Sequence, residues 1–126
     1  MKKINENCLG INRVSDEAHD IAVKHGFYED YEKLEEFLQT EDKPDLADVA
    51  HRDFVLAQLA KIGSEVGECV AVVQKVEDYK GLAEELADIM IRTMDLAGFL
   101  GYRLGADVML KMAKNAQRPY KHGKIC

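Results

Sequence analysis

Apolar residues recur along this chain at steps of three and four rather than two, and that period predicts helices almost throughout. A first helix is expected over residues 15 to 25. Ser15 offers an N-cap, Asp16 and Glu17 suit the positive end of the helix, and Lys24 and His25 suit the other end. Gly26 is a natural C′ residue, with apolar Phe27 behind it. A short second helix is expected from Tyr31 to Leu38, with Leu34, Phe37 and Leu38 sharing a face. Gln39 to Asp45 contains Pro44 and many charges and reads as a loop. From about Asp48 the period strengthens, and Leu59, Ile62, Val66, Val70 and Val73 form an apolar stripe that carries a helix into the mid-70s. Glu77-Asp78-Tyr79-Lys80-Gly81 reads as a turn. Leu82, Leu86, Ile89, Thr93, Leu96 and Leu100 form a second stripe, ending near Gly101 or Gly105. A last helix is expected from about Ala106 to Gln117, stopped by Pro119. Strand signals are almost absent. The expected class is all-α: a single domain over residues 1–126, a helical bundle around an antiparallel pair of long helices and completed by oligomerisation.

The composition fits that picture. With 126 residues, 47% hydrophobic and 32% charged, the chain has the balance of a globular protein and enough length to bury a core. A net charge of -6 argues against a surface that grips a nucleic-acid polymer by its phosphates. Cys8, Cys69 and Cys126 are odd in number and lack C-x-x-C spacing, so free thiols are expected and zinc has no support, with Cys69 as core filling. No apolar run approaches a membrane span, and Asn5, Glu6 and Asn7 stand where a signal peptide needs its apolar stretch. The expectation is a cytoplasmic protein with no membrane partner.

Two carboxylate pairs carry the candidate chemistry. Glu65-x-x-Glu68 and Glu85-x-x-Asp88 each have i, i+3 spacing, which places both members on one face of a helix. Two such helices side by side gather four carboxylates, whose mutual repulsion is relieved by a cation. Oxygen ligands without histidine favour Mg²⁺, with Mn²⁺ as the alternative, over zinc or copper. Asp95, one heptad after Asp88, and Glu84 lie where they could assist. Single E-x-x-E pairs are common on solvated helix faces, so the pattern alone leaves a metal site and solvated faces both open. His19, His25, His51 and His122 fall outside both pairs, which disfavours a di-iron carboxylate bundle. An EF-hand over Asp42 to Asp53 fails for want of a glycine at its turn.

A basic run follows in Lys111, Lys114, Asn115, Arg118, Lys121, His122 and Lys124. Lys111, Asn115 and Arg118, at steps of four and three, put two cations and an amide on one helix face that could hold phosphates. Taken alone, the run equally suits a solvated helix C-terminus.

Ser64-Glu65-Val66-Gly67-Glu68, Glu84-Glu85-Leu86-Ala87-Asp88 and the Lys111…Asn115…Arg118…His122-Gly123-Lys124 tail resemble, in order and spacing, the MazG-like all-α nucleoside triphosphate pyrophosphohydrolases. His19-x-x-Ala22-x-x-x-Gly26-Phe27 is similar to the N-terminal helix of some small members. The resemblance runs from about residue 15 to the end. It implies Glu65, Glu68, Glu85 and Asp88 as catalytic Mg²⁺ ligands, and a nucleoside triphosphate, ribo- or deoxyribo-, as substrate. Water would attack the α-phosphorus, giving the monophosphate and pyrophosphate. By the same analogy Lys111, Asn115 and Arg118 contact phosphates in a homodimer or homotetramer. His19 could bond to the base, and Phe27, Tyr28 and Phe54 could stack on it, although core packing is the expected task of each aromatic and a helix surface or interface that of His19. Many members have an acidic residue directly before the first ligand, where this chain has Ser64. That departure motivates an alternative, a non-hydrolytic nucleotide-binding regulator with a retained metal site.

Overall fold

A computed structural model describes residues 2–120, and the expected contributions of Lys121, His122, Lys124 and Cys126 lie outside them. Among the described residues the chain forms α-helices α1 (Lys2–Lys24), α2 (Glu29–Thr40), α3 (Pro44–Lys75), α4 (Leu82–Leu100) and α5 (Leu104–Ala116), with no strand. A short 3-10 turn, Glu77–Tyr79, separates α3 from α4. None of these helices is long and apolar enough to cross a membrane.

The breaks follow from single residues. Gly26 and Gly101 take the left-handed conformation, at φ 79° and 75°, and close α1 and α4. Asp78 and Tyr79 adopt φ 55° and Gly81 φ 93°, which turns the chain between α3 and α4. Pro44 opens α3 at its first turn, where its missing N–H removes no helical bond, so the loop is shorter and the helix starts earlier than expected.

α1 begins thirteen residues before the expected Ser15. No proline interrupts residues 2 to 14, and Cys8, Ile11, Ser15, Ala18 and Ala22 continue one inward line at steps of three and four. Ser15 is therefore no cap. It is buried within α1, and its hydroxyl donates to the Met94 carbonyl at 2.7 Å.

α4 is the central helix, packed on α1 and on α3, while α5 packs on α1 and α2 on α3. Two glycines let helices approach closely. A Cβ on Gly98 would stand 2.7 Å from the His19 Cβ, and one on Gly105 would run into the Cys8 carbonyl. The Gly105 N–H donates to Asn12 Oδ1 at 2.8 Å, tying α5 to α1. Between α2, α3 and α4 an aromatic cluster fills the interior. Tyr31 and Phe54 lie 4.5 Å apart by ring centroids, and Phe54 and Phe99 5.0 Å. Each such contact contributes about 0.5–1.5 kcal/mol beyond the area buried.

Two expected faces are turned differently. On α2, Tyr31 and Leu38 are buried, whereas Leu34 and Phe37 are exposed. On α3 the stripe of Leu59, Val66, Val70 and Val73 is exposed. Glu65 and Cys69 take the buried positions instead. The helix is apolar on more than one face, and α4 packs against a line displaced from the stripe.

Candidate metal and nucleotide site

The acidic cluster forms where α3 meets α4. One carboxylate oxygen from each of Glu65, Glu68 and Glu85 lies within 4.8 Å of the others. Glu65 is buried, Glu85 half-buried and Glu68 exposed, so the group grades from interior to solvent. Glu85 Oε2 is buried without a hydrogen-bond partner. An ionised carboxylate facing two others has no donor to accept from. Protonated, it could donate to Glu68, and this bond is the largest reason the Glu85 pKa stands above its usual value. Burial and the negative charge of Glu68, Asp88 and Glu65 push the same way. The cluster also raises the Cys69 thiol, chiefly through burial and then through Glu85, Glu65 and Glu68, so this cysteine is a poor nucleophile.

A cation already stands at the inner end. Arg92 Nε donates to Glu65 Oε1 at 2.7 Å, with the Glu65 side chain 12% exposed and that of Arg92 44%. Arg92 belongs to neither carboxylate pair, yet the sequence carries a signal for it. Glu85, Asp88, Arg92 and Asp95 fall at steps of three, four and three, a continuous polar line on α4.

Beside the cluster lies a cavity of about 240 Å³. Ala18, Ile21 and Ala22 of α1, with Phe27 and Ile91, form its apolar side, and Glu65, Asp88, Arg92 and Asp95 its polar side. Glu65 thus belongs to both cluster and cavity. Asp88 lines the cavity and stands outside the tight triad of oxygens. Asp95 is held from two sides: His19 Nδ1 lies 2.9 Å from its Oδ1, and the Tyr28 hydroxyl donates to the same oxygen at 2.7 Å. Burial first, then the Asp95 hydrogen bond and charge, push the Tyr28 pKa up, so the hydroxyl stays a donor. Tyr28 packs on Phe99 and Phe54, whereas Phe27 is 72% exposed at the cavity rim.

The basic face is placed elsewhere. Lys111, Asn115 and Arg118 are exposed on or just beyond α5, whose main neighbour is α1, and none of them lines the cavity. Lys111 borders a separate surface hollow with Leu104, Asp107, Val108 and Met112.

Comparison of the chain with family models, curated proteins and solved structures returns no match.

Proposed function

We propose that the protein is a divalent-metal-dependent nucleoside triphosphate pyrophosphohydrolase, converting a ribo- or deoxyribonucleoside triphosphate and water to the monophosphate and pyrophosphate. The observation that carries this reading is the convergence of Glu65, Glu68 and Glu85 from two helices, with a buried, unpartnered oxygen on Glu85. Three close carboxylates repel one another, and an all-oxygen donor set suits Mg²⁺ or Mn²⁺. The motif resemblance supplies the reaction class, and with it an antiparallel run of α3 against α4.

In this reading Glu65, Glu68 and Glu85 hold the metal, with Asp88 able to join from the cavity side. A bound divalent ion supplies charge neutralisation on phosphate oxygens and a more acidic water. Arg92 adds a fixed positive charge at the junction of cluster and cavity, suited to a phosphate oxygen. A carboxylate not fully used in coordination would take the proton of the attacking water, and Asp88, outside the tight triad, is one of those that could. The apolar wall of Ala18, Ile21 and Ala22 would suit a base, and exposed Phe27 could stack on its face. Asp95, oriented by His19 and Tyr28, would accept a hydrogen bond from that base, with His19 positioning Asp95. Lys111, Asn115 and Arg118 take part only if another copy brings them to the cavity.

The test is incubation with a panel of ribo- and deoxynucleoside triphosphates and Mg²⁺, with products followed by phosphorus NMR. Monophosphate and pyrophosphate, lost on Glu68→Gln, support the reading. Single phosphates, or no turnover, overturn it. Thermal stabilisation by nucleotide and Mg²⁺ without product would instead favour the regulator that Ser64 motivates.

A further inference from the structure

Between them α2 and α3 form a hollow of about 650 Å³. Its floor is aromatic: Tyr31 is buried, and its ring centroid lies 4.5 Å from that of Phe54. Leu34 of α2 and Leu46 and Val49 of α3 form the sides, 46, 52 and 41% exposed, so no described element covers them. Along α3 the lining runs from Leu46 to Lys61, about 22 Å of helix. That volume spread over that length has a cross-section of about 30 Å², the width of a single row of side chains. The hollow is a groove, and its shape suits a linear partner better than a compact ligand.

The charge around the groove is one-sided. Residues 29–53, which form α2, the loop after it and the start of α3, hold ten Asp or Glu and three Lys or Arg. Their net charge is -7, in a chain whose total is -6. Among the described residues, ion pairs engage two of the ten acids, Glu29 with Lys33 and Asp53 with Arg52, and both pairs are exposed. Asp30 and Asp53 border the groove from opposite walls, and Lys61 is the last α3 residue along it. Like charges gathered on one face repel one another, and a partner of opposite charge relieves them. The same field turns away nucleic-acid phosphates and anionic lipid.

The backbone decides the form of the partner. Every described element is a helix or a turn, so the groove has no strand edge to which an extended peptide could bond its N–H and C=O groups. A helix satisfies those groups internally. It presents apolar residues at steps of three and four as one row, with room for cations on either side.

We infer that the α2–α3 groove receives a basic amphipathic helix of a partner protein. Its apolar row seats on Tyr31, Phe54, Leu34 and Val49, and its lysines or arginines face the acids of residues 29–53. The inference does not rest on the proposed reaction.

Selection on the folded chain from a displayed library of random peptides tests it, with peptides of about 16 residues, enough to cover the groove as a helix. Selected peptides are expected to carry net positive charge, to place apolar residues at helical spacing, and to gain helical circular dichroism on binding. Their affinity should fall about tenfold or more between roughly 50 and 300 mM salt. The Leu34→Gln, Val49→Gln double variant removes apolar surface without changing charge, at exposed positions, and should weaken binding at least about tenfold. The Asp30→Asn, Asp53→Asn double variant should weaken binding and flatten its salt dependence, which keeps the test open should the first variant unfold. Leu110→Glu, on the exposed face of α5, should bind as the native chain does. No enrichment, enrichment of uncharged or acidic peptides, equal binding of scrambled peptides, or indifference to both groove variants overturns the inference. Self-association in sedimentation equilibrium that is lost with Leu34→Gln, Val49→Gln would put a second copy on the groove and overturn it too.

Discussion

The Arg92 guanidinium lies 2.7 Å from a largely buried carboxylate of Glu65, on the same residue whose other neighbours, Glu68 and Glu85, complete a triad of close oxygens. One side chain therefore answers to two positive charges, a fixed one from α4 and, in the proposed function, a divalent ion. Glu65 could serve both only by dividing its oxygens, so in the proposed function Arg92 would weaken the hold of Glu65 on the metal, while without metal it pairs the buried Glu65 charge.

Arg92→Gln is accordingly expected to act in opposite directions on two readouts. In chelator it leaves the Glu65 charge without its ion pair and lowers stability by about 1–2 kcal/mol, less than for a fully buried pair because nearly half of Arg92 is in solvent. In Mn²⁺ the rise in melting temperature should be larger than for the native chain. Equal metal responses in the two proteins would show that Arg92 and metal do not compete.

Glu85 sets the pH response. The hydrogen bond that its protonated form can give Glu68, then burial, then the charges around it raise its pKa above the ordinary 4.5, so above that value the folded state binds more protons than the unfolded one. The stability it contributes is present below the unfolded pKa and is lost as pH rises through the folded one. Urea denaturation in chelator across a pH series should show Glu85→Gln with a flatter decline and greater stability at neutral pH. With Mg²⁺ present the order should reverse, because the amide is a weaker ligand. An unchanged pH slope in the variant would show that Glu85 ionises freely.

Much of this arrangement was legible in the residues. Gly26 announces a helix end, of the two glycines that could end the second long helix Gly101 does so, and the turn at Glu77–Gly81 is evident from its composition. The carboxylate pairs were visible because i, i+3 spacing is a local signal, and three of the four residues do converge. Orientation was less legible. The stripe of Leu59, Val66, Val70 and Val73 has the period of a core face, yet period says only that a face is apolar, and α4 takes a neighbouring one. The first half of α1 is hard to read in the sequence because its polar residues mask a sparse inward line. Arg92 continues the polar line of Glu85, Asp88 and Asp95, but that spacing does not say which carboxylate of another helix it pairs with.

Two helix glycines should respond oppositely to alanine. At Gly98 the added methyl meets His19 Cβ at 2.7 Å, forcing α1 away from α4 at the point where His19 reaches Asp95. The expected loss is about 1–3 kcal/mol, an overpacking effect. At Gly10 a Cβ meets nothing within 4 Å and the residue is helical, so alanine should stabilise by about 0.5–1 kcal/mol through the unfolded chain. Urea midpoints of the two variants decide the matter, and a neutral Gly98→Ala would mean that the α1–α4 contact is looser than described.

The cavity and the cluster can be separated kinetically, given the proposed reaction. Glu65→Gln and Glu68→Gln remove charge from the metal-holding oxygens and should lower kcat by about 100-fold or more. Phe27→Ala removes an exposed side chain at the rim of the cavity, shared with the neighbouring hollow between α2 and α3, where in the proposed reading stacking on a base would stabilise ground and transition states alike. Its expected effect is a KM raised about tenfold, within the range of one lost base-stacking contact, with kcat nearly unchanged. Steady-state measurement of pyrophosphate release reads both. A fall in kcat with unaltered KM for Phe27→Ala would place the reacting phosphate, rather than the base, against that side of the cavity.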